Sequence, residues 1–141
     1  MQSIEEHGLI IARLFTGEDL IQSLKEVCRK HEVETAIILS AIGQLKQFTL
    51  GYLNGTIYIW QDYLPTYELI SLSGMISWSR EEKDYQFHLH ATVANEKQQA
   101  FGGHLAKGIV QNSNEIVILK THMKVKRRTD EQTGLQGLFL E

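Results

Sequence analysis

Residues 85–106, YQFHLHATVANEKQQAFGGHLA, decide how the chain is read. The segment holds an H-x-H pair, His88 and His90, then a short polar turn, then Gly102-Gly103-His104. Successive strand residues point to opposite faces, so His88 and His90 share one face and Leu89 takes the other. A hairpin turning symmetrically about Glu96, within Asn95-Glu96-Lys97, sets His88 opposite His104 and His90 opposite Gly102. Cross-strand neighbours lie about 5 Å apart and diagonals about 7 Å, so three imidazoles there can converge on one ion. Gly102 and Gly103 carry no side chains, which leaves room beside the histidines for metal, water or ligand. The alternative at this point is three imidazoles that hydrogen-bond to neighbours on a half-buried strand. Six histidines in 141 residues give on the order of 0.2 H-x-H pairs by composition alone, so the pair by itself is weak evidence.

On either side of the hairpin the pattern continues as strands. Residues 67–78 (YELISLSGMISW) form a long strand in which Gly74 marks a bulge or bend. Residues 80–84 are a charged turn. The hairpin runs to about Val110, Asn112-Ser113-Asn114 is a loop, and residues 115–125 are the last clear strand. Upstream, residues 8–15 and 35–42 are strands, the second nearly all apolar as buried strands are, with Gly43 breaking it. Residues 45–52 and 55–63 follow, joined at the hairpin signal Asn54-Gly55, and Pro65 marks a corner. One helix opens at Thr16-Gly17-Glu18-Asp19, with Thr16 as N-cap and the two acids at the positive end of the helix dipole. Leu20, Ile21, Leu24, Val27 and Cys28 recur at helical spacing, and Arg29, Lys30 and His31 close the helix. Residues 1–7 are a polar lead-in. About eight strands, one main helix and no helix-length segment between the later strands make this an α+β domain with an antiparallel sheet. It is read as a single domain over 1–141, with its core at about 8–120 and a tail at 124–141.

The net charge of −3 lacks the basic excess of a strong general DNA binder. A single cysteine precludes an internal disulfide and fits a reducing cytosol, where Cys28 serves as a small buried hydrophobe. The acidic start MQSIEEHG has no signal-peptide apolar region, and no apolar run reaches the ~18 residues of a membrane span. A cytoplasmic protein is expected. Lys124, Lys126, Arg127 and Arg128 are candidate phosphate contacts, set against the plainer reading of a solvated strand end. The closing GLQGLFLE is apolar enough to dock on the body or on a neighbouring subunit.

Several motifs occur in order: Arg13-Leu14-Phe15-Thr16-Gly17-Glu18-Asp19-Leu20, Ala41-Ile42-Gly43-Gln44-Leu45, Tyr67-Glu68-Leu69-Ile70-Ser71-Leu72-Ser73-Gly74, His88-Leu89-His90 and Gly102-Gly103-His104-Leu105. Together they resemble the plant-and-prokaryote conserved (PPC) domain over roughly residues 8–120. The resemblance implies a helix packed on an antiparallel sheet, a homotrimer, and a metal, zinc foremost, held by His88, His90 and His104. Land-plant members carry AT-hooks that bind A·T-rich DNA; this chain has none. The plant motif Gly-Arg-Phe-Glu-Ile-Leu stands here as Pro65-Thr66-Tyr67-Glu68-Leu69-Ile70, without its arginine.

The leading expectation is a non-enzymatic homotrimeric metal- or ligand-binding module, regulatory in role, with a small anionic ligand at the metal. Glu68, Gly102 and Gly103 are candidates for a supporting or interface position. Two alternatives stand beside it. One is a DNA-binding, transcription-associated protein using the basic segment. The other is a zinc-dependent hydrolase-like enzyme, in which zinc lowers the pKa of a bound water and Glu68 or Glu96 serves as base.

Overall fold

A computed structural model describes residues 1–140, so Glu141, the last residue of the tail, lies outside the described residues. The elements run β1 (Gln2–Glu6), β2 (Leu9–Phe15), α1 (Leu20–Lys30), β3 (Thr35–Asn54), β4 (Ile57–Tyr63), β5 (Tyr67–Ser79), β6 (Asp84–Ala94), β7 (Ala100–Thr121), β8 (Val125–Thr129) and β9 (Gln136–Leu140). Seven strands form one antiparallel sheet in the order β1-β2-β7-β6-β5-β3-β4, and β8 with β9 forms a second, two-stranded sheet. Because β7 also pairs with β3, the strands β3, β5, β6 and β7 close into a ring of hydrogen-bonded neighbours. Ring closure removes edges and gives each strand a dry inner face. Leu72, Ile76, Leu89, Ala91, Val93 and Leu105 occupy that face and are buried.

The α+β, antiparallel expectation holds, with several local corrections. The polar lead-in is a strand, β1, whose residue Ile4 pairs with Ile11. Gly43 does not end a strand, and Asn112-Ser113-Asn114 is not a loop. Both lie inside long strands, β3 and β7, that run on through bulges. The reason is local chemistry: Asn114 is fully buried and its Oδ1 accepts the Gln44 N–H at 2.8 Å. Gly43, at φ +146°, lets β7 press against it where any Cβ would collide with Ser113 O and Asn114. The β3–β4 loop is Gly55-Thr56 rather than Asn54-Gly55, since Asn54 pairs with Ile57.

Helix α1 is capped by Asp19, whose Oδ1 accepts the Gln22 N–H at 2.8 Å; the Thr16 hydroxyl instead donates to Asn112 O at 2.8 Å. Leu20, Leu24, Val27 and Cys28 are its buried stripe. Burial pushes the Cys28 thiol up to about 12, which leaves it an unreactive apolar filler. The helix is tied to the start of β6 by Lys25 and Arg29, which both pair with Asp84. No helix among the described residues is long and apolar enough to cross a membrane.

Candidate metal centre

His88 and His90 stand on β6 and His104 on β7, all on the outer face of the ring, with Leu89 and Leu105 buried behind them. The hairpin register differs from the symmetric turn about Glu96. His90 faces His104, Ala91 faces Gly103 and Thr92 faces Gly102. The turn centres one residue later because Asn95 Oδ1 accepts from both Lys97 N and Gln99 N at 3.0 Å, with Gln98 in the left-handed region at φ 61°. That moves each pairing by two residues. An even slip keeps every side chain on its face, so the three histidines still meet.

They meet closely. The Nε2 atoms of His88 and His90 are 3.2 Å apart. Ring centroids are separated by 5.2 Å for His88–His90 and 5.3 Å for each of the other two pairs. One ligand nitrogen from each of the three lies within 4.8 Å of the others. Zinc held by imidazole nitrogens at about 2.05 Å in a tetrahedron has ligand edges of about 3.3 Å, which the His88–His90 separation matches. His104 Nδ1 is buried without a hydrogen-bond partner among the described residues, and a buried imidazole nitrogen without a partner is costly. Burial, reinforced by His88, His90 and Arg127, pushes His104 down to about 4. Burial, with Arg127 and His90, also lowers His88. Unprotonated imidazoles present lone pairs, so the donor set suits a transition metal such as zinc.

The sheet sets the surroundings through one transverse row. Trp60 on β4 pairs with Gly51 on β3, Gly51 with His104, His104 with His90, and His90 with Ser73 on β5. Gly51 has no side chain, and Trp60 leans over it: a Cβ there would stand 2.5 Å from the indole. Tyr58 stacks on Trp60 at 4.8 Å and reaches His104 at 5.2 Å between centroids. An aromatic wall therefore flanks His104. On the other side His88, His90, Ser73, Gly74 and Met75 line a cleft of about 260 Å³, completed by Arg127 and Leu138 of the β8–β9 hairpin.

The other predicted residues fall elsewhere. Gly102 and Gly103 do not leave space for a ligand; they let backbones approach. A Cβ at Gly102 would collide with Ala91 O, and one at Gly103 would stand 2.8 Å from Gly51 O. Glu68 pairs in register with Gln44 and Ala94 and hydrogen-bonds the Gln44 amide, five residues along β5 from Ser73. Glu96 sits exposed in the β6–β7 turn. The basic segment is divided: Lys126 pairs with Glu81 at 3.1 Å, Arg128 lies over Phe139 at 4.0 Å, and Lys124 is exposed, whereas Arg127 is turned inward to the histidine cleft. Tyr58, Trp60, Gly51, Ser73 and Met75 were not anticipated. Their signal is the register of β4 and β5 against the histidine strands, which spacing along the chain does not reveal.

Against this geometry, the model of the Plants and Prokaryotes Conserved (PCC) domain matches residues 1–122. Two curated proteins called bifunctional protein GlmU, from Synechococcus strains, are 33% and 32% identical over 133 residues. The chain spans only 20% of their length. Among solved structures, a plant- and prokaryote-conserved protein of Pyrococcus horikoshii superposes with a TM-score of 0.81 at 29% identity, covering 99% of this chain and 95% of that one. A metal-containing protein of Archaeoglobus fulgidus superposes with a TM-score of 0.83 at 27% identity, covering 96% and 95%. A protein of Bacteroides thetaiotaomicron, 21% identical, shares the fold with a TM-score of 0.89 over 99% of this chain and 96% of its own.

Proposed function

We propose a function from one premise: the chain belongs to the Plants and Prokaryotes Conserved (PCC) domain family. It is a non-enzymatic, cytoplasmic, homotrimeric module that holds zinc, or another transition metal, through His88, His90 and His104, and acts in regulation through a small ligand at that site. The observation that carries this reading is the convergence of three imidazole nitrogens within 4.8 Å on one sheet face. The solved structure of a metal-containing relative from Archaeoglobus fulgidus supports it. Zinc held by His88, His90 and His104 would supply Lewis acidity to the ligand. His88 and His104 are kept unprotonated by burial and by Arg127, while Tyr58 and Trp60 screen His104 from water on one side. The hydrolase alternative needs a base, and the two carboxylates considered for it stand away from the cluster: Glu68 on Gln44, Glu96 in the turn.

The test is elemental analysis by mass spectrometry on tag-free protein purified without chelator, beside a His88→Ala/His104→Ala variant. The expected result is about one zinc per chain in the parent and none in the variant. Absence of metal from both after incubation with zinc would sink the metal reading. Light scattering on the same samples measures subunit number, and a monomer would sink the trimer.

A second reading, DNA-linked regulation, draws on one feature. Lys124, Lys126 and Arg128 are exposed at alternate positions, with Lys126 paired to Glu81 and Arg128 lying over Phe139. Phosphate-driven binding weakens steeply with salt. A titration that finds no binding even at low salt would remove this reading.

A further inference from the structure

The β8–β9 hairpin lies outside the residues matched by the family model, yet it completes the histidine cleft. Arg127 and Leu138 are direct cross-strand partners, and both face the cleft that His88 and His90 line. Period-two alternation turns Arg127 inward while Lys126 and Arg128 point out. Arg127 Nε is buried and has no hydrogen-bond partner among the described residues. No acid among them forms an ion pair with Arg127, although Lys126 next to it has Glu81. An arginine turned into a cleft with an unused donor is poised for an acceptor that comes from outside the chain.

Charge balance says what that acceptor is. The three ligands are neutral imidazoles, and the residues completing the cleft are Ser73, Gly74, Met75 and Leu138, none of them acidic. A divalent metal on the histidines and a guanidinium in the same cleft are like charges in a partly dry site, an arrangement that costs energy unless an anion lies between them. Guanidinium presents a planar fork of donors that matches an oxyanion. The cleft's 260 Å³ is below the range of about 300–1,000 Å³ typical of drug-sized ligands, and Met75 and Leu138 give it apolar flanks.

Building on the metal reading, we propose that the cleft binds a small oxyanion, carboxylate- or phosphate-bearing, held between the metal on His88, His90 and His104 and the guanidinium of Arg127. The C-terminal hairpin is thus the ligand-selecting part of the site, and the histidines are its metal-holding part. The apolar flanks favour a short-chain carboxylate over bare phosphate.

The experiment is calorimetric titration of the zinc-loaded protein with butyrate and, separately, with inorganic phosphate. The parent is compared with Arg127→Gln and Arg127→Lys, and zinc content and melting temperature are recorded for each. The expected result is binding of at least one probe, weakened about tenfold or more in Arg127→Gln, since a charge-assisted hydrogen bond is lost. Arg127→Lys is expected to fall between the two, because it keeps charge without the fork. Zinc content and melting temperature stay at parental values. Tighter butyrate than phosphate assigns the carboxylate source; the reverse order assigns phosphate. Zinc-loaded parent that binds neither probe at 10 mM, or Arg127→Gln that binds within about twofold of parent, overturns the oxyanion clamp and leaves the metal site standing. Parent that takes up no zinc overturns both.

Discussion

His104 is held from two sides of a closed ring, paired to His90 on β6 and to Gly51 on β3. Arg127, which lines a cleft with His88 and His90, stands on a hairpin whose two strands pair, among the described residues, only with each other. The positions of the histidines are set by backbone ladders in strands of 11 and 22 residues. The position of Arg127 is set by a few side chains of a five-residue strand resting on the body. A two-stranded hairpin is marginal by itself. The difference teaches a division of labour: the ring fixes where the three imidazoles stand, and the weakly held hairpin can yield to what binds beside it.

The sharpest way to break the rigid half is Gly74→Ala. Gly74 sits at φ +143°, directly opposite Leu89, and a Cβ there would run into the His88 carbonyl. Backbone collision and left-handed strain act together, so the loss of stability is expected to exceed about 3 kcal/mol. Urea unfolding of the metal-free protein measures it, and zinc uptake should fall with it. A neutral outcome would mean that β5 and β6 can part without cost.

The next effect comes from acid. In the metal-free protein His104 titrates at about 4 rather than at the ordinary 6.5, and His88 is shifted in the same direction. Between those values the unfolded chain takes up a proton that the folded chain refuses. Stability is therefore full above about 6.5 and declines as pH falls towards 4. His104→Leu separates this from metal binding. It removes a buried nitrogen without a partner, so the metal-free fold should be unchanged or up to about 1 kcal/mol more stable at neutral pH. Its melting temperature should fall less steeply between pH 6.5 and 4, and zinc should be lost. A variant that keeps the parental pH slope would show that the acid sensitivity comes from elsewhere.

What could be read in the sequence follows the same division. H-x-H and Gly-Gly-His were legible as one face because period two survives an even slip in register, although the turn was longer than assumed. The bends mislead, since Gly43 and Asn112-Ser113-Asn114 carry turn composition inside continuous strands. Only the folded chain reveals that Asn114 Oδ1 spends its hydrogen bond inside the sheet, on Gln44 N. Gly102 and Gly103 read as space in the sequence, whereas carbonyls of Ala91 and Gly51 fill it. Trp60 and Tyr58 became neighbours of His104 across Gly51, through a pairing of three strands that no local pattern encodes. In the sequence Arg127 is indistinguishable from its basic neighbours, because its inward direction depends on which face of β8 meets the body.

The smallest effect on the body should come from removing the hairpin, and it sharpens the comparison most. Deleting residues 124–141 takes away Arg127 and Leu138 but no strand of the ring. None of the described residues of the hairpin is fully buried, and Leu140 is 82% exposed. The loss of stability in the metal-free protein is expected to be about 1 kcal/mol or less, as for exposed segments with little buried area. The shortened chain should still bind zinc, because His88, His90 and His104 keep their ladders. A large loss of stability, or loss of zinc with the ring still folded, would show that the hairpin helps to hold the metal. In that case the two halves of the cleft would be one cooperative unit, and the yielding half would have to be sought elsewhere.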